Sequence, residues 1–174
     1  MANTYPAGKG NLVEPPYGSY VDEWQKPVNS NFGMVNALIG GTTSINVSTI
    51  VASNPNVTLV FDTFDTTPTP WTATNAGQNL RIYLSGALTF NINLIIPAGY
   101  PGFWYIQNRT TGAFTVTVKT SSTAVGATSV TPKQGYMSSI YCDGTNVVYS
   151  DLGTIIDIVN GIQGVPSGTI ISFG

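Results

Sequence analysis

The sequence predicts an all-β protein: an antiparallel β-sandwich or jelly-roll-like domain with an extended N-terminal arm, a short N-terminal helix and a short C-terminal helix or strand. Three observations carry this expectation. Between Leu80 and Lys119 apolar and polar residues alternate with a period of two, Leu80, Ile82 and Leu84 against Arg81, Tyr83 and Ser85, and again in Leu88/Phe90/Ile92/Leu94 and Phe114/Val116/Val118. Gly86, the cluster Pro97-Ala-Gly-Tyr-Pro-Gly102 and Thr110-Thr-Gly112 interrupt that alternation where the chain must turn. Short strands then recur from Thr42 to Ser150 without helical text between them, which is the spacing of consecutive antiparallel strands in two packed sheets.

Residues 1–41 read as an attachment unit. Pro6, Pro15 and Pro16 with Gly8, Gly10 and Gly18 exclude a helix or central strand before Tyr20, leaving an extended arm. Its apolar anchors Tyr5, Leu12, Val13, Tyr17, Tyr20 and Trp24 exceed what a solvated tail requires, so a strap lying on a neighbour stands beside the plainer reading of a loose terminus. A short helix follows over Val21 to Leu38, with Pro27 in its first turn, Asn29 or Ser30 as cap and Gly40-Gly41 as stop. Its Phe32, Val35 and Leu38 face must be buried, either on the sheet or on copies of itself.

Residues 42–152 hold the β-domain. Ser44–Val47, Val57–Phe61, Ala127–Val130, Tyr136–Cys142 and Asn146–Ser150 add strands to the central ones. Asp143-Gly144 marks a tight hairpin, since that pair accepts the positive φ of the turn. In residues 153–174 Ile155, Val159 and Ile162 share a helical face too short to be stable alone, and the tail through Ile170 ends on apolar residues with nothing to cover them. Isoleucine at both seam positions favours three-stranded association.

Composition narrows the function. Apolar residues form 42% of the chain and charged residues 8%, far below the roughly 25% charged of an ordinary soluble protein. Such an uncharged polar surface suits self-associating structural proteins, exposed β-proteins and sugar binders. Six Lys and Arg, spread singly, form no stripe for phosphates, so nucleic acid is not an expected partner. The absence of histidine removes the usual general base and metal ligand. Cys142, the one cysteine, reads as a small strand residue. No apolar run suits a membrane helix and no signal peptide is evident at the start, so the chain is expected to be made in the cytoplasm and not inserted in a membrane.

Two constellations bear on chemistry. Asp62 and Asp65 lack the third ligand and glycine spacing of a calcium loop and read as solvated carboxylates. Trp71, Tyr100 and Trp104, with Phe103 and Tyr105 alongside, are candidate glycan contacts, although core or subunit packing is the favoured reading of these rings. Because Phe103 and Trp104 are adjacent, at least one of them faces outward. No catalytic, cofactor or metal residue is expected, and the chain reads as a non-enzyme.

The entry Trp24-Gln-Lys-Pro-Val-Asn-Ser-Asn-Phe32 leading to Gly40-Gly41, the segments Trp104-Tyr-Ile-Gln-Asn-Arg-Thr-Thr-Gly112 and Tyr141-Cys-Asp-Gly-Thr-Asn146, and the exit Val165-Pro-Ser-Gly-Thr-Ile-Ile171 together resemble tail-fibre and tail-tip proteins of tailed bacteriophages. The resemblance rests on structural text and covers most of the chain. It implies a homotrimeric virion component, made in the host bacterial cytoplasm and placed in the tail. Tyr5, Leu12, Val13, Tyr17, Tyr20 and Trp24 would then dock on other tail, baseplate or portal-proximal proteins, and Phe32, Val35, Leu38, Ile155, Val159, Ile162 and Ile170 would make trimer contacts. A host surface glycan is a further implied partner. The alternative from a different class is a carbohydrate-binding module acting through Trp71, Tyr100 and Trp104.

Overall fold

The computed structural model describes residues 22, 24–61 and 76–150. Tyr5, Leu12, Val13, Tyr17, Tyr20, Trp71, Ile155, Val159, Ile162 and Ile170 lie outside the described residues, as do Asp62 and Asp65.

Among the described residues one α-helix, α1 (Gln25–Gly40), precedes the strands. Pro27 falls in its first turn, where a missing N–H costs nothing because that donor has no partner within the helix. The cap differs from expectation: Trp24 holds the N-cap position without a side-chain hydrogen bond, and Asn29 and Ser30 lie inside the helix. Since proline is tolerated throughout the first turn, it did not force the start as far downstream as Asn29. The helix stops where expected, with the Gly41 N–H donating to the Ala37 carbonyl at 3.0 Å.

Eight strands follow among the described residues: β1 (Thr42–Asn46), β2 (Asn56–Thr58), β3 (Arg81–Ala87), β4 (Ile92–Ile96), β5 (Gly102–Thr111), β6 (Val116–Thr120), β7 (Met137–Cys142) and β8 (Val147–Tyr149). They form two sheets, in the orders β1-β3-β5-β7-β8 and β2-β4-β6. The two-sheet, largely β character is as the alternation predicts. The pairing is not. β1, β3 and β5 are parallel neighbours, and so are β2, β4 and β6. Only β5 with β7 and β7 with β8 pair antiparallel.

The chain therefore winds. Each circuit lays one strand in the larger sheet and the next in the smaller one, and the following circuit stacks on it. Between the second and third circuits the register is constant at 24 residues, from Arg81↔Tyr105 through Ala87↔Thr111 and from Ile92↔Val116 through Ile96↔Thr120. The corners stack as well: Leu88 N–H donates to Thr111 O at 2.8 Å, Ile92 N–H to Thr115 O at 3.0 Å and Ser121 N–H to Ile96 O at 2.9 Å. Gly86 and the other breakers turn the chain from one sheet to the other and do not reverse it beside itself. With φ 103°, and with Ser48 Oγ and Asn46 Oδ1 where a Cβ would project, Gly86 occupies a corner that only glycine fits.

Side chains hold one circuit to the next. Asn93 Nδ2 donates to Asn56 Oδ1 at 2.8 Å across the β2–β4 pair, and Ala87 N–H donates to Ser48 Oγ at 2.9 Å. Asn91 Oδ1 accepts from Thr115 N–H at 3.0 Å. Buried Asn108 serves the inside of the last corner: its Nδ2 donates to Pro132 O at 2.8 Å while its Oδ1 accepts from the Thr110 N–H and hydroxyl. A buried amide with both ends satisfied avoids the desolvation penalty of an unpaired polar group.

The inner faces of both sheets share one core, which includes Ile45, Val57, Ile82, Leu84, Ile92, Leu94, Trp104, Ile106, Val116, Val118 and Ile140. The Asp143-Gly144 turn forms as predicted and joins β7 to β8, with Gly144 at φ 100°. The strand expected over Ala127–Val130 shrinks to one bridge, Val118↔Val130, which covers the outer edge of β6. Trp104 lies at the centre, fully buried, with its indole N–H donating to Gly77 O at 2.6 Å and Phe61 edge-on at 6.2 Å. Replacing Trp104 by Ala is expected to destabilise the fold by about 3–5 kcal/mol. Trp104→Phe, which keeps most of the apolar volume, should lose less; urea unfolding monitored by far-UV circular dichroism measures both.

Candidate functional site

Among the described residues two surfaces stand out by their exposed side chains: an apolar flank of α1 and the mixed aromatic and polar outer face of the larger sheet. On α1, Met34 and Ala37 are buried. On the other side Trp24, Val28, Phe32, Val35 and Ile39 are exposed at 68, 37, 68, 37 and 72%. Their spacing is four, four, three and four residues, which at 100° per residue confines them to an arc of about 80°. From Val28 to Ile39 the alternation of four and three is that of a coiled-coil seam. Lys26 is the one ionisable residue between Gln25 and Gly40. Within the helix no charge pattern therefore flanks the seam, which offers only shape and apolar contact.

The sequence singled out Phe32, Val35 and Leu38 for this contact. Phe32 and Val35 do face outward, whereas Leu38 is half-buried at the margin of the stripe. Val28 and Ile39 complete the seam and were missed, although the four-three-four spacing that identifies them is written in the sequence.

On the larger sheet, alternation sends one residue in two outward. Arg81, Tyr83 and Ser85 of β3 stand beside Tyr105, Gln107 and Arg109 of β5. Phe103 and Tyr105 face Tyr141 and Ser139 of β7, and Tyr141 in turn faces Val148 of β8. Phe103 and Tyr105 meet edge to face with centroids 5.3 Å apart, the preferred aromatic arrangement.

This geometry corrects one of the expected glycan contacts: Trp104 is in the core and offers no ring to a sugar. Tyr100 is half-buried, with one ring face stacked on Phe61 at 4.5 Å. For Trp104 the reason is parity. Phe103 and Trp104 do point to opposite faces, but the larger ring went inward because it fills the space between the sheets and its N–H finds a carbonyl there.

Elsewhere little chemistry is assembled. Among the described residues no group of three or more His, Cys, Asp or Glu is placed to hold a metal ion. A shallow polar depression of about 270 Å³ beside Lys119, Thr120 and Thr128 brings no acid and base together. Burial pushes the Cys142 thiol up, against a smaller downward pull from the Gly144 N–H, so this buried sulfur is protonated and unreactive. No helix among the described residues is long and apolar enough to cross a membrane.

Asp143 shows a clear electrostatic role in the hairpin. Hydrogen bonds from the Asn146 N–H, the Asn146 side chain and the Thr145 N–H hold its carboxyl below the ordinary aspartate range. A depressed folded-state value means stability that is fully present above the unfolded value, about 3.9, and is lost progressively as pH falls below that and through the lower folded value. Asp143→Ala should therefore be less stable than the parent at pH 7, with the difference narrowing below about pH 4. Unfolding curves at pH 7 and pH 3 check this; a gap of the same size at both would contradict it.

No family model matches the chain, and neither a curated protein nor a solved structure shows significant similarity to it; what it does must be read from the seam on α1 and the wound sheets themselves.

Proposed function

We propose that the protein is a non-enzymatic structural component of a bacteriophage tail, a fibre or tail-tip subunit that works as a homotrimer. The observation that carries the reading is the exposed seam of Val28, Phe32, Val35 and Ile39 on a helix with almost no charge. A 16-residue helix with no side-chain cap and an internal Gly33 has little stability of its own. Burying an aromatic or branched side chain from water is worth roughly 1.5–3 kcal/mol, so several such residues meeting their copies would stabilise helix and assembly together. In this reading the arm before the helix docks on the tail, the helices bundle about an axis, the wound sheets act as a spacer, and the C-terminal isoleucines add contacts between copies. The phage assignment itself comes from the resemblance of the entry, sheet and exit segments.

The low density of charge supports the same reading, because subunits packed around an axis desolvate few ionised groups. The hydrogen bonds of Asn93 to Asn56 and of Thr115 to Asn91 that tie circuit to circuit join uncharged groups, so salt and pH act on them little, which suits an exposed particle. The test is sedimentation of the full chain at micromolar concentration together with antibody labelling of purified phage particles. A trimeric mass and label on the tail are expected, and Phe32→Ser with Val35→Ser should give monomers that keep the β-sheet circular dichroism. A parent protein that sediments as a monomer, or particles without label, would refute the proposal.

A further inference from the structure

The outer face of the larger sheet combines three properties. It presents the rings of Tyr83, Tyr105 and Tyr141, all at least partly accessible, in adjoining rows of three neighbouring strands. Two guanidinium groups frame them: Arg81 stands beside Tyr105 in register, and Arg109 lies four residues further along β5, roughly 13 Å away at strand rise. Finally, neither described carboxylate lies in these rows. Asp22 precedes the helix and Asp143 is in the hairpin turn. In a chain of formal charge -2 this face is locally positive.

We propose that this face binds an acidic polysaccharide, with tyrosine rings against the apolar faces of the sugars and Arg81 and Arg109 on carboxylates of non-adjacent units. Each part of the ligand answers to a feature of the surface. A sugar ring offers C–H groups on one face, which suit aromatic rings, and hydroxyls at its edge, which suit Gln107, Ser85, Ser139 and the tyrosine hydroxyls. A carboxylate takes the planar fork of arginine in a bidentate pair, and neither Asp22 nor Asp143, the described acids, stands on the face to compete for it. The strands give the site its rigidity, because residues opposite one another in register cannot move apart without breaking the ladder. The face is built by one chain, so binding does not depend on the assembly proposed above.

Affinity of the full-length protein for oligogalacturonate, measured by calorimetry, tests this against neutral dextran and against polyglutamate, which carries carboxylates without sugars. Oligogalacturonate is expected to bind with dextran at least tenfold weaker, and added salt should weaken the interaction. Arg81→Gln and Arg109→Gln should each lower affinity about tenfold, as expected for loss of a charge-assisted hydrogen bond. Tyr105→Ala should do so by a similar factor, and Lys119→Gln on the opposite sheet should change nothing. No binding to oligogalacturonate, equal binding to dextran, or polyglutamate binding as tight as the sugar acid would overturn the proposal. A monomeric protein that binds would refute the trimer and leave this site standing.

Discussion

Circuit-on-circuit hydrogen bonding is the constraint from which the rest of the architecture follows. A parallel strand cannot be satisfied by its sequence neighbour, because the chain must travel round before it returns alongside. Here it returns after 24 residues and lays strand on strand and corner on corner. Once that register holds, inward positions stack as Ile82 on Ile106 and Ile92 on Val116, and a single core forms between the sheets. The antiparallel β7–β8 hairpin then occupies the far edge of β5, which would otherwise expose unpaired backbone groups.

This scaffold separates its roles by direction. The interior is almost wholly apolar, with Asn108, Thr110 and Thr120 tied to backbone or to one another. Adhesive potential lies outside it, on the helix that leads into β1 and on the outer face of the larger sheet. The two surfaces differ in chemistry. The helix flank is aliphatic and aromatic with no ionic framing, suited to a like surface, whereas the sheet face mixes rings, amides and guanidinium groups, suited to a polar ligand. Self-assembly through the first would repeat the second around an axis, turning weak contacts with a repeating polymer into avidity.

Much of this was legible in the sequence. Alternation located β3, β4, β5 and the in-or-out sense of their residues, Asp143-Gly144 gave the hairpin, and Gly40-Gly41 gave the helix stop. Partnership was not legible. A period of two says which face a side chain takes but is silent about whether the adjacent strand runs the same way, and the short turns between strands read equally as reversals or as corners. The signal that decides it is weaker: Ile82 and Ile106, Phe90 and Phe114, and Ile92 and Val116 repeat at 24 residues, obscured by a first circuit in which the offset between β1 and β3 is longer. For Trp104 the sequence offered a choice between two adjacent rings, and only the fit between the sheets, with Gly77 O as acceptor, determines which is internal.

The strict parity of β5 has an evolutionary corollary. Trp104, Ile106 and Asn108 are committed to the interior, while Phe103, Tyr105, Gln107 and Arg109, interleaved with them, face outward and lie outside the core. Selection acting on what the surface meets can rewrite every second letter of this strand and leave the intervening letters untouched. A lineage exposed to changing surroundings would thus diversify in a comb-like pattern, variable and fixed positions alternating along one stretch of ten residues.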